Sequence, residues 1–470
     1  MNESTTTLAR PEVAAQMTAG TALPDGAEDT TLRKVLHLPG AVLFGLSYMI
    51  PLTVFTTYGV VNVKTEGHIV AAYVITTVAM LFTAASYAAM VRAFPRAGSA
   101  YTYTRRTLGE RLGFLGGWAL LLDYLLMPMI TYLVIGIYLN ASFPSVPAWV
   151  WIVLALTVVT ALNILGVELV SRVSTLMIIV QTIFLVVFAA LALRNPAAGS
   201  APSPLDALTA SGPGITAVLA GSAVLCLSFL GFDAVSAMAE ETVEARRTIP
   251  RAIIIVTLIG GALFIVLAML SARVLPDWRG YTSVDAASLD VMNAAGGALL
   301  TNFFTAAYIA GCFGAVLASQ STVSRILYAM GRDGVLPAPV FGYLSPRFRT
   351  PVRSILVVSA IGLTAVFMDL LLASSLISFG ALTAFTLVNA AVIKHYYLDQ
   401  SRRGPGAVAR YLLAPGVGIA LCLWLWTSLS RTALEVGLGW TVLGIVVLVT
   451  MTRATRRRGG APATLAFDEA

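Results

Sequence analysis

Apolar residues in this chain run in long blocks, parted by short polar or turn-rich stretches. A helix needs about 20 apolar residues to cross about 30 Å of hydrocarbon. Twelve blocks reach that length: 40–62, 68–91, 112–138, 148–166, 173–193, 215–239, 252–272, 298–326, 352–369, 371–394, 408–429 and 434–452. The pattern predicts an all-α polytopic membrane protein whose spans lie within residues 32–453. Residues 1–31 are rich in Thr, Ala, Pro and acids and hold no apolar stretch, so they are expected to be a disordered cytoplasmic tail and not a signal peptide. A second cytoplasmic tail is expected over 454–470.

Composition removes other classes. Of the 470 residues, 58% are hydrophobic and 11% charged, where a soluble globular chain has about 45–50% and about 25%. Several soluble domains would lack the charge to solvate their surfaces. The three lysines, Lys34, Lys64 and Lys394, follow Arg33, Val63 and Ile393, so no Gly-Lys-Ser/Thr phosphate loop is present and the chain is not the motor of an ATP-driven pump. Cys226, Cys312 and Cys422 lie in apolar runs without metal-ligand or pairing spacing, which argues against a metal centre.

Charge placement sets a direction. With the N-terminus inside, 25 of the 30 basic residues fall on the inner side, leaving Lys64, Arg194, Arg273, Arg279 and Arg431 outside. Both termini are therefore expected in the cytoplasm. The net charge of +7 reports topology and not a nucleic-acid surface, since no basic–aromatic platform accompanies it.

Two spans carry interruptions. The first reads Gly45-Leu46-Ser47-Tyr48-Met49-Ile50-Pro51, and Pro51 removes a backbone donor and crowds the preceding turn. The sixth reads Ser228-Phe229-Leu230-Gly231-Phe232-Asp233. Unwound backbone at membrane depth is tolerated where it is buried in protein or lines a cavity. Breaks at matching positions of two repeats point to a transporter's central site, whereas either break alone suits a kinked packing helix.

The chain resembles the amino acid–polyamine–organocation permeases. The likeness rests on Phe94-Pro95-Arg96-Ala97-Gly98-Ser99-Ala100-Tyr101-Thr102-Tyr103, on Phe229-Leu230-Gly231-Phe232-Asp233 leading to Ala239-Glu240-Glu241 and Thr248-Ile249-Pro250-Arg251-Ala252-Ile253, and on Ser324-Arg325-Ile326-Leu327-Tyr328-Ala329-Met330-Gly331-Arg332-Asp333. Within that family it resembles bacterial putrescine importers, through Gly45 to Phe55, Leu122-Asp123-Tyr124-Leu125 with Pro128-Met129, and Phe341-Gly342-Tyr343. The resemblance implies a five-plus-five inverted repeat, about 40–193 and 215–394, plus two extra helices over 408–452. It also implies discontinuous first and sixth helices, alternating access and an ion gradient as the driving force. Relatives that take amino acids carry a glycine-rich first break. Here Ser47 to Pro51 lacks that glycine pair, which weakens the case for a carboxylate ligand.

Of the 23 acids, only Asp123 and Asp233 fall well inside spans, where an acid costs about 2.5–3.5 kcal/mol on insertion scales. Asp123 suits either a helix–helix hydrogen bond or a carboxylate that meets an ammonium or exchanges a proton. Asp233 suits the same role or capping of the half-helix that follows it. Putrescine carries an ammonium at each end, so the two acids are expected at its two ends, aided by carbonyls freed near Ser47 and Tyr48. Aromatic rings nearby are Tyr48, Tyr124, Phe229, Phe232, Phe303 and Tyr308, with Tyr48 and Phe232 favoured because they sit on the breaks. For coupling, Ser319, Ser321 and Thr322 offer sodium ligands, although such hydroxyls commonly bond within their own helix. Gln181 occupies the place where some proton-coupled relatives resemble one another in having a lysine. Protons are favoured, with Asp123 as the carrier, because a carboxylate among apolar groups is the simplest proton site. Glu240, Glu241 and Arg325 are candidates for a cytoplasmic gate or an ordinary surface cluster.

The expected function is import of a small amine, putrescine first, across a bacterial cytoplasmic membrane by a monomer or homodimer. An amino-acid permease or exchanger is the alternative. A passive channel is disfavoured by the paired breaks. A membrane enzyme is disfavoured because no nucleophile–base pair or metal cluster is legible, and no cofactor is expected beyond the coupling ion.

Overall fold

The computed structural model describes residues 36–95, 99–165, 168–194, 214–332, 336–346, 348 and 350–457. The expected N-terminal tail, residues 458–470 of the C-terminal one, and Asp333, Arg347 and Arg349 lie outside the described residues. The described chain is helical, with one isolated parallel bridge, Leu36 to Thr242, and no strand.

The helices are α1 (Leu38–Met49), α2 (Tyr58–Lys64), α3 (Ile69–Ala93), α4 (Ser99–Leu108), α5 (Glu110–Ser142), α6 (Ala148–Leu165), α7 (Glu168–Arg194), α8 (Gly214–Leu225) and α9 (Ala245–Val274). They continue as α10 (Ala287–Arg332), α11 (Ala338–Phe341), α12 (Val352–Leu363), α13 (Leu370–Val392), α14 (Pro405–Val408), α15 (Ala414–Thr427) and α16 (Arg431–Arg457). Ten stretches are long and apolar enough to cross a membrane, and Ile179–Arg194 and Val352–Phe367 are shorter apolar helices at two further expected spans.

Two expected spans are not continuous helices. The first is α1, a 3-10 turn over Pro51–Phe55, then α2. The sixth is α8 followed by 3-10 turns over Cys226–Phe229 and Ala234–Glu241. Helix α10 is longer than the apolar block suggested and kinks where Gly296 and Gly297 leave helical geometry. The short helix α4 carries polar residues on one face and lies against α5, where a side chain on Gly113 would meet the Arg105 backbone at 2.6 Å. Gly117, one turn farther on, is close to the Tyr101 ring, where a Cβ would lie 2.9 Å away, so both glycines serve packing.

Polar groups in the interior are used as inter-helix ties, since lipid gives no hydrophobic drive between helices. Gln320 of α10 accepts from Tyr132 of α5 (2.6 Å) and donates to Ser359 of α12 (2.7 Å), which in turn shares a hydrogen bond with Thr160 of α6 (2.8 Å). A second tie joins α13 to α3: Asn389 donates to Thr83 (3.1 Å) and accepts from Ser86 (2.6 Å). Helix α16 docks on α5 through Trp118 and Trp440, whose rings stack at 4.9 Å and whose indole N–H groups each donate to the other's carbonyl at 2.9 Å.

Candidate functional site

The breaks of the first and sixth segments touch. Gly231 has φ +124°, and a Cβ there would lie 2.8 Å from the Tyr48 ring and 2.9 Å from the Met49 nitrogen, so glycine alone permits the approach. Across from it Ile50 holds φ 47°, a conformation costly for a β-branched residue. The 3-10 turn after Pro51 consumes its own donors: the Thr53 and Thr56 N–H groups bond to the Ile50 and Thr53 carbonyls, at 2.8 and 3.0 Å. The Thr53 hydroxyl donates to the Met49 carbonyl at 3.0 Å.

A cleft of about 530 Å³, its mouth included, lies along the breaks. Helix α5 lines it with Met127, Ile130, Thr131 and Val134, the first broken segment with Tyr48, Met49, Ile50, Thr53 and Thr56, and α10 with Tyr308, Cys312 and Ala315. Tyr48, 38% exposed, stands at the open part.

Asp123 and Asp233 are buried behind the cleft lining, near Tyr48. Each is 6% exposed, and both lie within electrostatic reach of Tyr48 and Tyr124 and of one another. They differ in bonding. Asp233 turns back to accept the Gly231 N–H at 3.1 Å and does not cap the turn that follows it. One carboxylate oxygen of Asp123 is buried without any hydrogen-bond partner. Such an oxygen costs free energy unless a ligand or proton satisfies it. The expectation that the two acids serve the two ends of a diamine therefore concerns a pair of buried carboxylates that feel one another across the breaks.

The far end is sealed by rings. The hydroxyls of Tyr308 and Thr56 share a hydrogen bond, and Tyr308 stacks on Phe304 at 5.1 Å and meets Tyr138 at 4.8 Å. Tyr138 and Ser288 both donate to the Phe55 carbonyl, at 2.6 and 2.7 Å. Phe55, Phe184, Phe188 and Phe304 pack edge-on around it.

Other expected residues sit elsewhere. Phe229 packs on Phe264 at 5.4 Å, and Phe232 on Phe385 at 5.2 Å and Tyr87 at 5.6 Å; both are fully buried away from the cleft lining, because the break turns them toward α9, α3 and α13. Phe303 packs on Phe184. Ser319 bonds within its own helix to Val316 at 3.3 Å, Ser321 is buried, and Thr322 is exposed. Arg325 is exposed. The side chains of Ser47, Glu240 and Glu241 lie outside the described residues. No group of three or more potential metal ligands occurs among the described residues.

Sequence reasoning missed Thr53, Thr56, Thr131 and Cys312. Counting from Asp123 by helical steps of three and four reaches Met127, Ile130, Thr131 and Val134, and the same steps from Tyr308 reach Cys312 and Ala315, so the signal was present.

Residues 40–402 match the family described as Amino acid permease. The chain belongs to that family. The permease is 37% identical over 435 residues to the low-affinity putrescine importer PlaP of Escherichia coli K12, covering 90% of this chain and 95% of that protein. It is 27% identical over 455 residues to the branched-chain amino acid permease BcaP of Bacillus subtilis 168, covering 90% and 94%. It is 30% identical over 393 residues to the vacuolar cationic amino acid transporter 4 of Arabidopsis thaliana, covering 78% and 64%. It is thus a membrane-embedded transporter of small molecules, not an enzyme.

Proposed function

We propose that this permease imports a small organic amine, putrescine first, across a bacterial cytoplasmic membrane. The observation that carries the reading is the buried, unpartnered oxygen of Asp123, an acid that feels the charge of Asp233. An ammonium placed there gains charge-assisted hydrogen bonds and relieves the desolvated carboxylate. The second ammonium of a diamine lies farther along the cleft, among the hydroxyls of Thr53, Thr131 and the Thr56–Tyr308 pair. Likeness to a putrescine importer over nearly the whole chain supports the same class.

A carboxylate ligand finds less to hold it. Pro51 has no N–H, and those of Thr53 and Thr56 are already bonded. The relatives that carry amino acids keep that alternative in view.

In the same reading the chain has twelve spans in a five-plus-five inverted repeat with two extra helices, and both termini are cytoplasmic. The ring-sealed end then faces outward and the Tyr48 end inward. Alternating access reverses the two, driven by a proton that shares Asp123 with the substrate. Sodium is the alternative ion, and the oligomer is a monomer or homodimer.

The test is radiolabelled putrescine uptake into proteoliposomes with proton and sodium gradients imposed separately. Accumulation under a proton gradient alone is expected. Uptake of leucine or arginine that putrescine does not compete for would replace the amine reading with the amino-acid one.

A further inference from the structure

At the end of the bundle where α3 and α13 finish and α15 begins, two π-helical turns, Ile393–Asp399 and Ala409–Leu413, bring an aromatic pair together. Tyr396 and Tyr411 stack at 4.3 Å with planes 14° apart, and the Tyr396 hydroxyl donates to the Ala89 carbonyl of α3 at 2.9 Å, which fixes the pair to the bundle. Arg402 lies over both rings, at 5.2 and 5.9 Å, and Arg410 lies 5.7 Å over Tyr411. Arg92 is within electrostatic reach of Arg410 and Arg251. Among the described residues no acid pairs with any of these four arginines, and the nearby Asp399 is taken by Lys394. Beside them Leu398 and Leu413 are 53% and 59% exposed.

Two guanidinium groups held over a stacked aromatic platform, with Arg92 and Arg251 adding positive charge nearby, call for an anion. The exposed leucines next to them call for an apolar chain on the same ligand. We propose that Arg92, Arg251, Arg402 and Arg410, with the Tyr396–Tyr411 stack, form a binding site for the headgroup of an anionic phospholipid of the cytoplasmic leaflet. A topological signal requires only that basic residues lie on this side. It does not require them to be fixed over rings between helices, as basic pockets for lipid headgroups do. The site stands apart from the cleft and rests on the inward placement of this end given above.

The full-length protein in nanodiscs of phosphatidylethanolamine, titrated with phosphatidylglycerol and read by native mass spectrometry, tests this. Wild type is expected to bind phosphatidylglycerol saturably. R402Q/R410Q is expected to need about thirtyfold more, at about fivefold per basic residue, whereas R279Q at the other end leaves the titration unchanged. Equal titrations for wild type and R402Q/R410Q would overturn the site. Displacement of phosphatidylglycerol by inorganic phosphate at matched concentration would overturn the lipid as ligand. Should the double variant not fold, Tyr411→Leu, which keeps every charge, decides: weakened binding supports the site and unchanged binding refutes it.

Discussion

Near the Tyr48 end of the cleft, Asp123 and Asp233 lie within electrostatic reach of Tyr48 and Tyr124, and an oxygen of Asp123 is left unpaired. At the other end the hydroxyls of Thr56, Tyr308, Tyr138 and Ser288 all have partners, and the rings of Phe55, Phe304 and Tyr308 fill the space between them. The two ends border the same broken segment, yet one is unsatisfied and the other closed. An unsatisfied polar pole waits for a ligand, while a paired and packed one holds a conformation. In the proposed reading, binding and gating fall at opposite ends of one short stretch, residues 48 to 56.

The contrast is most sharply broken at Asp123. Asp123→Asn is expected to lower putrescine uptake by at least about 100-fold, in line with the roughly 3–5 kcal/mol lost when one partner of a buried ion pair is removed. The protein should still elute as a monodisperse species; near-normal uptake would make Asp123 structural. Next comes Gly231→Ala, which places a Cβ 2.8 Å from the Tyr48 ring at a left-handed backbone position. A loss of about 1–3 kcal/mol of stability is expected in thermal unfolding, with transport lost as well.

Asp233→Asn separates the two acids. The amide oxygen can still accept the Gly231 N–H, so the fold should hold. Uptake should fall about tenfold, the roughly 1–1.5 kcal/mol between a charged and a neutral acceptor. A loss as large as that of Asp123→Asn would show the acids acting as one unit.

Tyr308→Phe probes the sealed end. Deleting its bond to Thr56, worth about 0.5–1.5 kcal/mol, should open the seal more often. Labelling of Cys312, which lines the cleft, by an impermeant maleimide from outside should rise about fivefold, measured with Cys226 and Cys422 replaced by Ser. No change would mean that the rings alone hold the seal.

The smallest effect is expected at Asp285, beside the seal. Burial, with the Asp369 charge adding, pushes its carboxyl above the usual carboxylate range. The native state then binds more protons than the unfolded state between the ordinary and the raised value, so stability falls as pH rises through that window. Asp285→Asn should flatten this slope in thermal unfolding across the same window; an unchanged slope would place its origin elsewhere.

Much of this was legible beforehand, and the gaps have physical causes. The apolar blocks located the spans because hydrocarbon thickness imposes a length on any helix that crosses it. Pro51 and Gly231 marked the breaks because each changes what the backbone can do. Phe229 and Phe232 misled because proximity in sequence to a break does not say which way a ring turns. The threonines of the cleft were passed over because a hydroxyl in a span usually bonds to its own helix, as Thr131 does to Met127 at 2.8 Å. Only the position of α5 relative to the breaks shows that this face lines a cavity.

By itself the sequence determined the membrane class, the approximate spans, the two breaks and the rarity of buried acids, since each follows from local composition and backbone chemistry. The tertiary structure alone decided that the breaks touch through Gly231 and Tyr48, and that Asp123 feels the charge of Asp233. Those outcomes depend on contacts between residues more than 100 positions apart in the chain, which no local pattern encodes.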